Sequence, residues 1–100
     1  MTDEVIVHVI VHGRVQGVGY RAFVEREAKV RGLRGWVRNC RDGTVEALLV
    51  GDASAVENMM VACHRGPLAA RVDAIDCHPG DGNDLKERAP GQAFSVLATI

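Results

Sequence analysis

Valine occupies every second position from Val5 to Val11, and three glycines follow within seven residues at Gly13, Gly17 and Gly19. Side chains alternate faces along a strand. Val5, Val7, Val9 and Val11 therefore form one apolar stripe, with Ile6, His8, Ile10 and His12 opposite. The β-branched content favours a strand over a helix in so short a run. Past the glycine-punctuated loop the period changes. Tyr20, Val24 and Ala28 recur every four residues with Phe23 beside them, so residues 20–31 are expected to be helical. Glu25–Lys29 and Glu27–Arg31 are favourable pairs at that spacing, and Gly32 is placed to cap the end. A chain of 100 residues that starts strand, loop, helix has room for one core, so residues 1–100 are expected to form a single domain.

The remaining segments continue the pattern. Leu33–Asn39 and Thr44–Val50 read as strands joined at Arg41-Asp42-Gly43, where Asp-Gly supplies the backbone a tight hairpin needs. Gly51-Asp52 opens a second helix carrying Val56, Met59, Met60 and Cys63 at helical spacing, and Arg65-Gly66-Pro67 stops it. Asp52 is one candidate N-cap; Ser54 with Glu57 offers a competing capping box. Ala70–Cys77 reads as a fourth strand, His78–Gln92 as a long polar loop, and Ala93–Ile100 as a final strand. This order is that of a ferredoxin-like (split βαβ) α+β sandwich, an antiparallel sheet of four to five strands with two helices on one face. The architecture alone does not select a function.

Composition narrows the classes. Twelve basic and 13 acidic residues leave a net charge of −1, with no overall attraction to nucleic acid or anionic membrane. Met1-Thr2-Asp3-Glu4 is acidic where a secretory signal is basic, His8 interrupts the apolar run behind it, and no stretch reaches membrane-spanning length. Three cysteines, Cys40, Cys63 and Cys77, make no disulfide framework. A cytoplasmic protein is expected.

The chemistry concentrates in the loop from Gly13 to Gly19. Its glycines let backbone N–H groups turn towards a ligand, a helix N-terminus follows, and Arg21 lies in the first helical turn. Amides, dipole and a forked cation together suit a small tetrahedral oxyanion such as phosphate. The plainer alternative is a glycine-rich turn with a solvated arginine. A Walker loop is excluded because Tyr20 and Arg21, not Lys and Ser or Thr, follow Gly19. Gly17-Val18-Gly19-Tyr20-Arg21-Ala22 meets the relaxed dinucleotide fingerprint, but the chain is too short for two nucleotide-binding halves. A cysteine-phosphatase loop needs Cys where Val15 stands. With no nucleophile in the loop, any hydrolysis there uses water directly.

Val11-His12-Gly13-Arg14-Val15-Gln16-Gly17-Val18-Gly19-Tyr20-Arg21 closely resembles the signature of the acylphosphatase family. Gly35-Trp36-Val37-Arg38-Asn39, followed by Asp42-Gly43-Thr44-Val45-Glu46, resembles its second signature, and Arg65-Gly66-Pro67 and Ala70-Arg71-Val72 are also similar to it. Tyr20 stands where many members carry Phe. The resemblance spans most of the chain and is weakest after His78. It implies hydrolysis of the carboxyl–phosphate anhydride of a small acyl phosphate, without metal or cofactor. Arg21 would match the phosphate-binding arginine and Asn39 the asparagine that positions the attacking water. Val15, Gln16, Gly17, Val18, Gly19 and Tyr20 would form the phosphate-binding loop. Inorganic phosphate would be product and competitive inhibitor of a monomeric enzyme with no nucleic-acid or membrane partner. The alternatives are a non-catalytic acylphosphatase-like phosphate-binding module and a nucleic-acid-binding ferredoxin-like domain. Larger hydrogenase-maturation proteins carry a similar domain, but 100 residues leave no place for the rest of them.

Other residues have plainer readings. Taken alone, Asn39 is a strand-end or turn-capping residue. Trp36 is expected to anchor the core, as one of four aromatic residues, and Met59 and Met60 to pack on the helical stripe. Cys63-His64 and Cys77-His78 point in divergent directions, and His8 and His12 lie about 13 Å apart on one strand face, so no metal site is expected. Arg14, Arg21, Arg34, Arg38 and Arg41 read as a solvated or phosphate-attracting rim, since the stacking aromatics of RNA-binding sheets are missing.

Overall fold

A computed structural model describes residues 3–88 and 91–100. Strand β1 spans Glu4–Arg14, helix α1 Tyr20–Val30, β2 Arg34–Asn39, β3 Val45–Asp52, helix α2 Ala53–Arg65, β4 Arg71–Pro79 and β5 Phe94–Val96. The sheet order is β4-β1-β3-β2-β5. The first four strands are antiparallel neighbours, as expected, whereas β5 runs parallel to β2 through Gly35–Phe94, Trp36–Ser95 and Val37–Val96. The sheet is therefore mixed. Only three of the residues expected in the last strand are extended in register. Beyond them Leu97 N–H still donates to Val37 O at 2.9 Å and Ile100 N–H to Asn39 O at 3.1 Å, so the segment follows β2 to its end.

The valine stripe faces the helices. Val9 and Val11 are buried beside Val37, Val45, Ala47 and Leu49, while Val5 and Val7 pack at the margin. Against them lie Tyr20, Phe23, Val24 and Ala28 of α1 and Val56, Met59, Ala62 and Cys63 of α2, with Met60 partly covered. Burying a side chain of this size contributes roughly 1.5–3 kcal/mol, which makes this layer the main source of stability. Helix α1 ends in a Schellman motif: Gly32 N–H donates to Lys29 O and Leu33 N–H to Ala28 O, with Gly32 at φ 69°. The Glu25–Lys29 and Glu27–Arg31 pairs both form. Helix α2 begins after Asp52, but that carboxylate accepts from Ser54 Oγ at 3.2 Å instead of capping an amide. Ser54 lies inside the helix, so the Ser54–Glu57 box does not form.

The segment expected as a loop over 78–92 is more ordered than its composition suggests. Strand β4 continues to Pro79, opposite Val7, and a 3-10 turn follows over Gly82–Glu87. Asp81 and Asp84 start that turn as a reciprocal capping box. Ala89 and Pro90, within the expected loop, lie outside the described residues, as do Met1 and Thr2 of the acidic start. The turn is strapped across the helix-free face of the sheet. There Trp36, Leu48 and Val50 form a second apolar cluster with Ile6, Leu85 and Leu97, and Trp36 Nε1–H donates to Asp84 O at 2.7 Å. Trp36 thus anchors this smaller cluster rather than the helix-facing core.

The same face carries a polar ladder. Glu46 accepts from Arg38 Nε at 2.6 Å and bonds His8 Nε2 at 2.5 Å, and the Arg38 guanidinium lies 4.5 Å from the Trp36 ring centre. Burial alone would raise the Glu46 carboxyl, but Arg38 and His8 outweigh it and hold it below the ordinary value. His12 is engaged separately with Asp76 at 2.9 Å. Cys77 stands opposite Val9 and His78 opposite His8, on different faces of β4. Among the described residues no three His, Cys, Asp or Glu side chains converge as metal ligands, and the three cysteines are free. No helix among the described residues is long and apolar enough to cross a membrane. The arginine rim divides: Arg34 and Arg38 belong to the helix-free face and Arg21 to the cavity described next.

Candidate active site

Where β1 leaves the sheet, the register against β4 slips between His12 and Gly13. Gly13 has φ 130°, and a Cβ there would stand 2.2 Å from Arg71 O, so the chain can pass this close to β4 only as glycine. Gly17 at φ 72° and Gly19 at φ 80° have open space around them. Their requirement is the left-handed backbone that turns the loop into α1.

Gly19 is the N-cap of α1 and brings no side chain to cap it. The first helical bond runs from Phe23 N–H to Gly19 O at 3.0 Å. The amides of Tyr20, Arg21 and Ala22 therefore have no intrahelical acceptor, and no acidic residue occupies the first turn. Unmet donors, the positive end of the helix dipole and Arg21 converge on one cavity of about 300 Å³. It is lined by Val15, Gly17, Gly19, Tyr20, Arg21 and Asn39. The half-buried Arg21 makes no ion pair among the described residues, so a cation stands ready for an anion from outside.

Asn39 reaches the cavity from the end of β2. Its backbone is held by Ile100 N–H on its carbonyl and by the turn behind it, where Cys40 N–H donates to Thr44 O. That connection is built on Asp42, whose carboxylate accepts from the Thr44 amide at 3.0 Å and hydroxyl at 2.6 Å, and on Gly43 at φ 95°. The Thr44 hydroxyl and amide lower the Asp42 carboxyl below its ordinary value. Asn39 Oδ1 is buried and has no partner among the described residues. Buried polar atoms are rarely left so. Asn39 lines the space that Arg21 borders.

The side chains of two expected loop residues are engaged outside the cavity. Gln16 is turned away from the cavity: its amide donates to Cys40 O at 2.7 Å and Thr44 O at 2.8 Å, tying the glycine loop to the turn behind Asn39. Val18 packs against the core. Tyr20 lines the cavity, but its ring is buried and its hydroxyl donates to Cys63 O at 2.8 Å, so its free amide is what it offers an anion. Burial first, and then Cys63, raise the Tyr20 phenol well above its usual value. Ala22, Glu25 and Val96 complete the lining and were not expected. Glu25 follows from Arg21 by helical geometry, one turn on. Nothing local marks Val96, which a strand nearly sixty residues downstream of β2 delivers.

Known proteins resemble the chain in sequence and in fold. The Acylphosphatase family model matches residues 7–89. The acylphosphatase of Rhodopseudomonas palustris strain BisB18 is 53% identical over 98 residues, covering 98% of this chain and 99% of that one. Among solved structures, an acylphosphatase from Bacillus subtilis superposes with a TM-score of 0.80 at 36% identity, covering 93% of this chain and 98% of its own. One from Coxiella burnetii gives a TM-score of 0.81 at 28% identity, covering 95% and 94%. Matched along nearly its whole length in sequence and in fold, the chain belongs to the acylphosphatase family.

Proposed function

We propose that the chain hydrolyses acyl phosphates to a carboxylate and inorganic phosphate, with Arg21 and Asn39 as the catalytic residues. The observation that carries this reading is that Asn39, with its Oδ1 unpartnered, lines the same cavity as Arg21 and the turn into α1. The phosphoryl oxygens take hydrogen bonds from the amides of the turn into α1 and from the Arg21 guanidinium. A water donates one O–H to Asn39 Oδ1, which aims its lone pair at phosphorus opposite the acyl oxygen. The new O–P bond forms as the P–O bond to the acyl group breaks, and that electron pair leaves on the carboxylate. The proton of the attacking water passes to a phosphoryl oxygen. An acyl phosphate dianion and water thus give a carboxylate and dihydrogen phosphate, with charge conserved. A carboxylate is a weak base, with a pKa of about 4–5, so its departure needs no general acid. Positioning and charge stabilisation suffice, as in phosphoryl transfer generally.

On this reading the whole chain acts as one domain, as a monomer in the cytoplasm, without metal or organic cofactor, and phosphate is a competitive inhibitor. Hydrolysis of benzoyl phosphate in the presence of a chelator tests it. Turnover that survives chelation and is inhibited by millimolar phosphate supports the reading. A folded chain that binds phosphate but leaves benzoyl phosphate intact favours a non-catalytic phosphate-binding module.

A further inference from the structure

A second cavity, of about 670 Å³, shares no lining residue with the one at Arg21. It opens between the turn over Gly82–Glu87 and residues 91–93, which lead into β5. Arg34, Lys86 and Arg88 are its charged walls, and no carboxylate lines it. The turn and its flanks sort their charges. The acids are engaged within the fold: Asp81 accepts from the Asn83 amide at 2.9 Å, Asp84 closes the reciprocal cap, and Glu87 pairs with Arg38 at 3.3 Å. The bases are left to the cavity. Lys86 has no partner among the described residues, and Arg88 gives one N–H to Ala93 O at 3.2 Å while keeping its other donors. Arg34 pairs with Glu4, but the two side chains are 38% and 59% exposed, and pairs of that kind are weak. Even with Glu4 counted against Arg34, Lys86 and Arg88 remain without a counter-charge.

We propose that this cavity is a second anion site, which takes a small polyanion carrying two or more phosphate or carboxylate groups. A concave space walled by one sign of charge concentrates counter-ions of the other. Its volume falls in the range of small-molecule sites, about 300–1,000 Å³. Arg34 faces it from β2, and Lys86 and Arg88 from the turn and the residue after it, so an anion with separated charges meets cations on both sides. The arginine forks suit phosphate and carboxylate alike. No aromatic ring lines the space, so it offers nothing for a nucleobase to stack on. The net charge of −1 gives no wider field to hold a long nucleic acid. Neither Arg21 nor Asn39 borders this cavity, so the proposal stands independently of the hydrolase reading.

The test is an amide NMR titration of the chain with inorganic triphosphate and, separately, with citrate, at about 0.15 M salt, where diffuse surface attraction is largely screened. Glycine amides report on each site, because Gly82 and Gly91 line this cavity and Gly17 and Gly19 the one at Arg21. Saturable shifts at Gly82 and Gly91 are expected with at least one of the two anions, and the tighter binder identifies the group the site takes. Lys86→Ala and Arg88→Gln should each weaken that binding about three- to tenfold, the scale of one exposed charge contact. Both should leave the response of Gly17 and Gly19 to inorganic phosphate unchanged. Glu4→Gln, which frees Arg34, should strengthen binding at Gly82 and Gly91. Absence of saturation at those two amides with either anion would overturn the proposal. So would saturation that neither Lys86→Ala nor Arg88→Gln weakens, or shifts confined to Gly17 and Gly19.

Discussion

Replacing Gln16 by Ala tests how the two halves of the site are held together. The side chain makes two bonds to the turn behind Asn39, 2.7 Å to Cys40 O and 2.8 Å to Thr44 O. Each carbonyl has one other donor, Gly43 N–H on Cys40 and Cys40 N–H on Thr44, so neither is orphaned by the change. The cost is then near the ordinary value of about 0.5–1.5 kcal/mol per bond, or about 1–3 kcal/mol together. For a chain of this size that lowers Tm by roughly 4–24 °C, at about 4–8 °C per kcal/mol. Turnover should fall as well, because the turn behind Asn39 loses its register with the glycine loop, while phosphate affinity changes little. Gln16→Glu should be worse at neutral pH, since a carboxylate then faces two carbonyl oxygens with no proton to donate. Thermal unfolding, benzoyl phosphate turnover and phosphate titration on the two variants separate tether from ligand. Unchanged Tm with phosphate affinity reduced tenfold or more would refute the tether and return Gln16 to the phosphate-binding set.

Three further outcomes are expected. Asn39→Ala should lower kcat by a factor of about 100–1,000, the scale of one positioned transition-state contact, with phosphate affinity retained; undiminished turnover in the folded variant removes Asn39 from the mechanism. Arg21→Ala should lose both phosphate binding and turnover, and Arg21→Lys should restore little, because an ammonium lacks the planar fork; near-full activity in the Lys variant contradicts bidentate binding. Glu46 is held below its ordinary pKa in the fold, so the unfolded chain binds its proton first on acidification. Its contribution is therefore complete above the unfolded value of about 4.3 and lost as pH falls through the lower folded one. Glu46→Gln should flatten the acid limb of a stability–pH profile, and an unchanged limb would place the acid sensitivity elsewhere.

What the sequence made legible was what short-range periodicity encodes. The valine alternation, the four-residue spacing of Tyr20, Val24 and Ala28, and Gly32 and Gly66 at the helix ends each depend on neighbours within one turn or one strand. Arg21 and Asn39 were legible as parts of long motifs, and the structure places them on one cavity. Long-range partners were not legible. The direction of β5 depends on pairing between residues 35–37 and 94–96, and three residues carry too little pattern to declare it. The strap was hidden for the opposite reason: its order comes from the Asp81–Asp84 box and from Leu85 on Trp36, while its composition reads as loop. Gln16 lay in the right motif, yet whether an amide side chain turns towards a ligand or a neighbouring turn is decided by where Cys40 and Thr44 fall in space.

The strap makes Trp36 an optical reporter. It is the chain's single tryptophan, and its indole is enclosed by the Asp84 carbonyl, the Arg38 guanidinium and the steeply inclined His8 ring, 6.3 Å away between ring centres. The cavity that Arg21 and Asn39 line opens on the helix side of the sheet, and Trp36 is not among its lining residues. Tryptophan fluorescence, excited where Tyr20 does not absorb, consequently reports whether the turn over Gly82–Glu87 is seated on the sheet and not whether the cavity is occupied. In a denaturation experiment it follows the thin side of the sandwich. Far-UV circular dichroism is weighted towards the two helices on the other side. If the strap lifts before the helices melt, the two signals will give different midpoints, and an emission change in mild denaturant will mean an opened strap on an otherwise folded protein.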